Sequence, residues 1–245
     1  MLKTLSASVV AIAALASATA ANAHQIWVEQ AQGQSAVLRF GEFGENLREV
    51  SPGLLDGFGK PTAVLVSAKG EEPLTATKAA DGFHLSGKAG KLDSIVAEDA
   101  AYPIRKFKQG EKEVASRYWP AARYVTGYTA QQPKLTFDLV PTGKAGEFKV
   151  TLNGQPLPKA KVDIVVASGW SKEARSDDQG LVQFSLPWKG TYVLEAMHTD
   201  ATPGERQGEA GAEKFDRISY VTSLTVVKAD GIAPLAAGPA AKPNK

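Results

Sequence analysis

Apolar residues that alternate with period two leave this chain little choice of fold. Gln25–Glu29 alternates, and apolar runs recur at residues 35–41, 62–67, 83–85 and 94–97. Turn signals such as Asp81-Gly82 and Lys88-Ala89-Gly90 separate them. A side chain that faces the core every second residue belongs to a strand, and no segment before Lys106 carries a helical period. Short strands punctuated by Gly and Pro predict a sandwich or barrel rather than a layered α/β fold.

Pro133 marks an expected boundary. Beyond it, residues 134–141, 148–152, 162–166, 181–186, 190–198 and 218–227 read as strands, with Asn153-Gly154 and residues 176–180 as turns. The predicted class is all-β, with two β-sandwich units in tandem over residues 24–133 and 134–228. Residues 229–245 are rich in Ala, Pro and Gly, without apolar periodicity, and are expected to be a disordered tail.

Residues 1–23 are expected to lie outside the fold. Lys3 supplies a basic start, residues 9–16 a short apolar stretch, and Ala21-Asn22-Ala23 the small residues of a cleavage site. This pattern predicts a cleaved signal peptide and a periplasmic product, with no later stretch long enough to span a membrane. Removing Lys3 from 28 basic residues leaves 27 against 26 acidic ones, so the product is nearly neutral and has no electrostatic footprint for nucleic acid. The chain has no cysteine. Disulfides, thiolate metal sites and a cysteine nucleophile are therefore excluded, and a hydrophobic core must supply the stability.

Cleavage after Ala23 makes His24 the first residue. Its α-amine and ring Nδ1 can then chelate one metal ion. Cleavage after Ala21 places the same histidine third, where the amine, two backbone nitrogens and imidazole suit square-planar copper(II) or nickel(II). His198 ends a long apolar run before a polar loop and is a second ligand candidate, with Asp200 two residues on as an oxygen donor. Its ordinary alternative is a rim histidine bonded to a carboxylate. His84 alternates with Phe83 and Leu85, which reads as a solvated strand position. If it nonetheless reached His24, the amine and two imidazoles would form a copper-binding histidine brace. Residues 98–128 interleave basic and aromatic side chains, either as an anion or partner-docking surface or as a charged strand pair facing solvent. No Walker, H-E-x-x-H or G-x-S-x-G pattern occurs.

Two resemblances sharpen these expectations. Residues 153–162, then 176–180, then Gly190-Thr191-Tyr192, resemble the turn, hairpin and strand start of prealbumin-like or carboxypeptidase-regulatory-type sandwiches. The opening His24-Gln25-Ile26-Trp27-Val28, the His198-Thr199-Asp200 strand end and residues 220–225 resemble the NikM-like family of exported proteins associated with nickel and cobalt uptake systems. That resemblance implies a non-enzymatic, periplasmic metal-binding accessory protein. Its ligand would be a divalent transition metal ion (nickel, cobalt or copper), and its partner a membrane transporter or outer-membrane receptor system. The alternatives are a metal-free partner-binding scaffold and a copper oxygenase using the brace.

Overall fold

The computed structural model describes residues 24–208 and 210–244. The expected leader lies outside them. The described chain is built from strands, with a single short 3-10 turn at Leu54–Gly57. None of its helices is long and apolar enough to cross a membrane.

Three layers organise the molecule. The first is a small antiparallel sheet of β1 (Gln25–Glu29), β2 (Val37–Glu42), β7 (Gly82–Leu85) and β6 (Ala76–Ala79), in that order, with β3 (Leu47–Arg48) beside β2. The middle layer is a nine-stranded sheet. Its order is β15 (Ser171–Arg175), β14 (Lys161–Val165), β17 (Gly190–Asp200), β20 (Arg217–Lys228), β10 (Lys112–Val125), β8 (Ser94–Glu98), β4 (Thr62–Ser67) and β5 (Gly70–Leu74), with β9 (Arg105–Gln109) paired to β10. The third contains β11 (Phe137–Pro141), β12 (Glu147–Leu152), β13 (Gln155–Pro156) and β16 (Leu181–Gln183). A separate hairpin joins β18 (Gly204–Gly208) to β19 (Gly211–Phe215).

Alternation explains how one sheet serves two cores. Ala122 and Tyr124 of β10 join Ile26, Val28, Leu38 and Phe40 of the first layer in one apolar cluster. Their neighbour Val125 turns to the other face and joins Phe137, Leu139, Phe148 and Val150. On β17, Tyr192, Leu194 and Ala196 enter that second cluster, whereas Val193 packs with Trp27. The period-two pattern places each set on its own side of the sheet.

The all-β expectation therefore holds, with a core on each side of the middle sheet. The expected boundary at Pro133 separates most of the core residues but not the sheet. Strand β10 precedes it and β20 ends the second unit, yet the two pair in parallel from Ser116↔Arg217 to Val125↔Val226. A parallel neighbour needs a long crossover, and here everything from β11 to β19 supplies it. The units are fused edge to edge through a shared wall.

The tail departs from the expected disorder. Ile232 donates to Pro187 O at 3.1 Å and accepts from Lys189 N at 3.0 Å. Gly238 donates to Ala167 O at 3.0 Å and accepts from Asn46 Nδ2 at 2.8 Å. Its side chains stay exposed, so scattered backbone bonds hold it, and apolar periodicity gives no sign of them.

Candidate metal centre at His24

Strand β1 is the edge of the small sheet and lies across the middle one. Tyr118 donates its hydroxyl to His24 O at 3.0 Å, and Ser223 donates to Ile26 O at 2.7 Å. Gln25 Nε2 donates to Glu195 Oε1 on β17. Three strands of the middle sheet thus fix the start of β1.

The His24 side chain turns inward, its ring 5.3 Å from that of Phe40. Gln25 pairs with Gly41, so Glu42 falls opposite His24 on β2. Its Oε1 lies 3.0 Å from Nδ1. On the other side of the ring, Nε2 lies 2.6 Å from Oε1 of Glu49, whose side chain is 0% exposed. The tail reaches this point: Asn244 donates its backbone N–H to Glu49 Oε2 at 2.9 Å and its Nδ2 to Glu49 Oε1 at 2.6 Å.

This geometry sorts the two ring nitrogens. A neutral imidazole has one N–H and one lone pair. Buried Glu49 is the stronger claimant for the N–H, through the shorter contact at Nε2. With a metal ion in place of a proton at Nδ1, that nitrogen would offer its lone pair to the ion and Glu42 Oε1 would face the same ion. A carboxylate holding the far nitrogen of a histidine is the common support for a metal-binding ring. Two donors each about 2.1 Å from one ion, at right angles, sit about 3 Å apart, and the Nδ1 to Oε1 separation fits that spacing.

Beside this site, Glu195 has its carboxyl pushed up to about 8 by burial, with the Gln25 hydrogen bond opposing and nearby Asp163 and Glu42 adding to the rise. It is an uncharged acid at neutral pH, which suits its place under an apolar strand.

The other predicted residues lie elsewhere. His198 is on the face of β17 opposite Glu195, stacked on Tyr220 with ring centroids 6.4 Å apart and 6.3 Å from Phe137. The sheet itself stands between it and His24. Asp200 accepts from Thr202 N at 2.9 Å, and this backbone bond holds its carboxyl below the usual range. His84 is half exposed on the outer face of the small sheet, 3.0 Å from Asp81 Oδ1. His24, His84 and His198 therefore do not converge, and the brace geometry has no second imidazole at His24. Among the described residues, no three His, Asp or Glu side chains converge on a point that could hold a metal. Side chains alone supply two donors, Nδ1 and Glu42, because the ring itself separates Glu42 from Glu49.

One segment matches a known family. Residues 128–200 match the model described as Domain of unknown function (DUF4198). The match runs through β11 to β17 and stops short of β20; it includes His198 and Asp200 but not β1 or β2. No curated protein and no solved structure matches the chain.

Sequence reasoning found His24 through the cleavage pattern and missed Glu42, Glu49 and Asn244. Only the register Gln25↔Gly41 assigns Glu42, and nothing local marks the other two.

Residues 98–128 form the β8 end and the β9–β10 hairpin. Every residue of β9 is exposed. Two cations of the stretch cover aromatic rings: the Arg117 guanidinium lies 4.1 Å from the Trp119 centroid, and that of Arg105 lies 5.2 Å from the Tyr102 centroid.

Proposed function

We propose that this chain is an exported transition-metal-binding protein whose ligand centre is created by cleavage between Ala23 and His24. The observation that carries the reading is the His24 ring held between two carboxylates. Buried Glu49 orients it through Nε2, and Glu42 Oε1 stands 3.0 Å from Nδ1, a spacing two donors on one ion would take. The freed α-amine supplies the third donor that the described side chains lack. The ion is cargo rather than a catalytic group, and nickel, cobalt and copper all accept this nitrogen and oxygen set. The resemblance to the NikM-like family agrees with this reading and favours service to a metal-uptake system, with a transporter or receptor as partner.

Extending the chain that starts at His24 by one glycine tests the amine. Calorimetric titration with copper(II) or nickel(II) is expected to show affinity falling by about tenfold or more, in line with the loss of one chelating donor. An unchanged affinity removes the amine from the site. Protein purified after export is expected to show His24 as its first residue by mass spectrometry.

A metal-free partner scaffold is the second reading, favoured by the fully exposed strand β9 with Arg105, Lys106 and Lys108 on it. The same titrations separate the two, since a scaffold takes up no metal at micromolar concentration.

A further inference from the structure

We propose that a chamber between the ends of β1–β3 and the middle sheet, roofed by the C-terminal tail, binds a small aromatic carboxylate. His24 does not line it, so its occupancy does not depend on the metal reading.

The chamber measures about 430 Å³, within the range of small-molecule sites. Alternation builds its floor. Leu224 and Val226 of β20 turn into the second core, so Thr225 and Val227 turn the other way and reach the chamber. Thr191 of β17 joins them, two residues from Val193 on the face that packs with Trp27. Glu29 at the end of β1 and Arg48 of β3 stand on one wall, and Trp188 and Lys189, just before β17, on another. The tail closes the top. It is pinned at Ile232 to Pro187 and Lys189, and at Gly238 to Ala167 and Asn46. Pro234, Leu235 and Ala237 border the chamber between those pins. A strap held at its ends by a few backbone bonds opens at low cost and can admit a ligand.

The lining selects the guest. Phe43, Tyr124 and Trp188 bring aromatic rings, which favour a flat apolar body in stacked or edge contact. The charge left over is positive. Glu29 is neutralised within the protein, accepting from Trp27 Nε1 at 3.1 Å, Arg39 Nε at 2.9 Å and Arg48 Nε at 3.1 Å. Arg48 gives its Nε and one Nη2 hydrogen to Glu29 and one Nη1 hydrogen to Asn46, so two of its five N–H donors have no partner among the described residues. Lys189 adds an exposed ammonium. A planar guanidinium with donors to spare, beside an ammonium, matches a carboxylate. On the floor, the buried Thr225 hydroxyl has no hydrogen-bond partner among the described residues. Such hydroxyls are uncommon, and a polar group bound beside one would relieve it.

Calorimetric titration of the chain starting at His24 with 2-naphthoate tests the proposal. EDTA is present, so that no metal ion takes the carboxylate. One site per chain with Kd below about 1 mM is expected. The cation 2-naphthylmethylammonium, with the same rings, is expected to bind about tenfold or more weakly. Thr191→Phe fills the floor and is expected to lower 2-naphthoate affinity about tenfold or more, with its melting temperature measured alongside to separate filling from unfolding. Arg48→Met and Lys189→Gln each remove a positive group and are expected to erode the preference for the anion. Lys189 is exposed, so its variant reads the charge even where Arg48→Met disturbs Glu29. No binding at millimolar 2-naphthoate, equal affinity for the cation, or parental affinity in a Thr191→Phe that melts like the parent overturns the proposal. Parental preference for the anion in both charge variants overturns it as well. Each of these outcomes leaves the His24 reading untouched, because that reading is tested by metal affinity.

Discussion

Glu195 shows what a single residue costs when the fold sets it under an apolar strand. Its unfolded carboxyl titrates near 4.5 and its folded one at about 8. Between those values the folded protein holds a proton that the unfolded chain has lost, so stability falls as pH rises, by about 1.4 kcal/mol per pH unit at most. Below 4.5 both states are protonated and the slope vanishes. Glu195→Gln keeps an acceptor for Gln25 and removes the titration. Urea melts across pH 5–8 are expected to show a flatter profile for this variant and a gain in stability at pH 8. Equal slopes in both proteins would place the proton elsewhere. At this scale the sequence was legible only where chemistry followed from chain position. His24 stood out because the expected cleavage site precedes it, whereas Glu42 and Glu49 acquire meaning only from pairing between β1 and β2 and from the turn after β3.

Strand β10 carries the element-scale lesson. Arg123 points from it into the joint between the units, with both partners of its ion pair 0% exposed. Its Nε and Nη2 meet Asp138 Oδ1 and Oδ2 at 3.0 and 2.6 Å, and Nη2 also donates to Gln132 O at 3.2 Å. Asp138 in turn accepts from the backbone N–H groups of Lys134 and Leu135. The segment around Pro133, read from sequence as a boundary, is thus pinned to the sheet. Removing one partner strands a buried charge, so Asp138→Ala is expected to cost about 3–5 kcal/mol in denaturant unfolding. The double variant Arg123→Met, Asp138→Leu is expected to cost less than the single one. The sequence offered β10 only as one half of a charged strand pair, and hid its central place for a physical reason. Pro120 lies within it, and a proline argues against a central strand. It is tolerated where β10 passes from β9 to β8: Ala121↔Glu98 is the first rung with β8, and Pro120 O still accepts from Asp99 N. The alternating runs of β1, β4 and β8 had no such interruption and were readable directly.

At the scale of the whole molecule, two cores share one wall. Without β20, β10 would present an unpaired edge from Ser116 to Val125. Such an edge invites pairing with another chain. Residues 24–133 expressed alone are therefore expected to self-associate, and the chain starting at His24 to melt in one calorimetric transition despite its two cores. Two resolved transitions would mean that the wall does not couple them. Composition and periodicity revealed the class and both cores, but not their fusion, because parallel pairing between β10 and β20 leaves no local mark. The position of β20 also sets a clock. Chain growth delivers it after every other strand, and it must slide between two that are already made. Until residue 228 is free, the first half waits with an open seam, and the interval invites a chaperone or a neighbour. Assembly of this protein is thus governed by its last strand, and the candidate centre at His24, whose strand rests on Ser223, becomes firm only when that strand arrives.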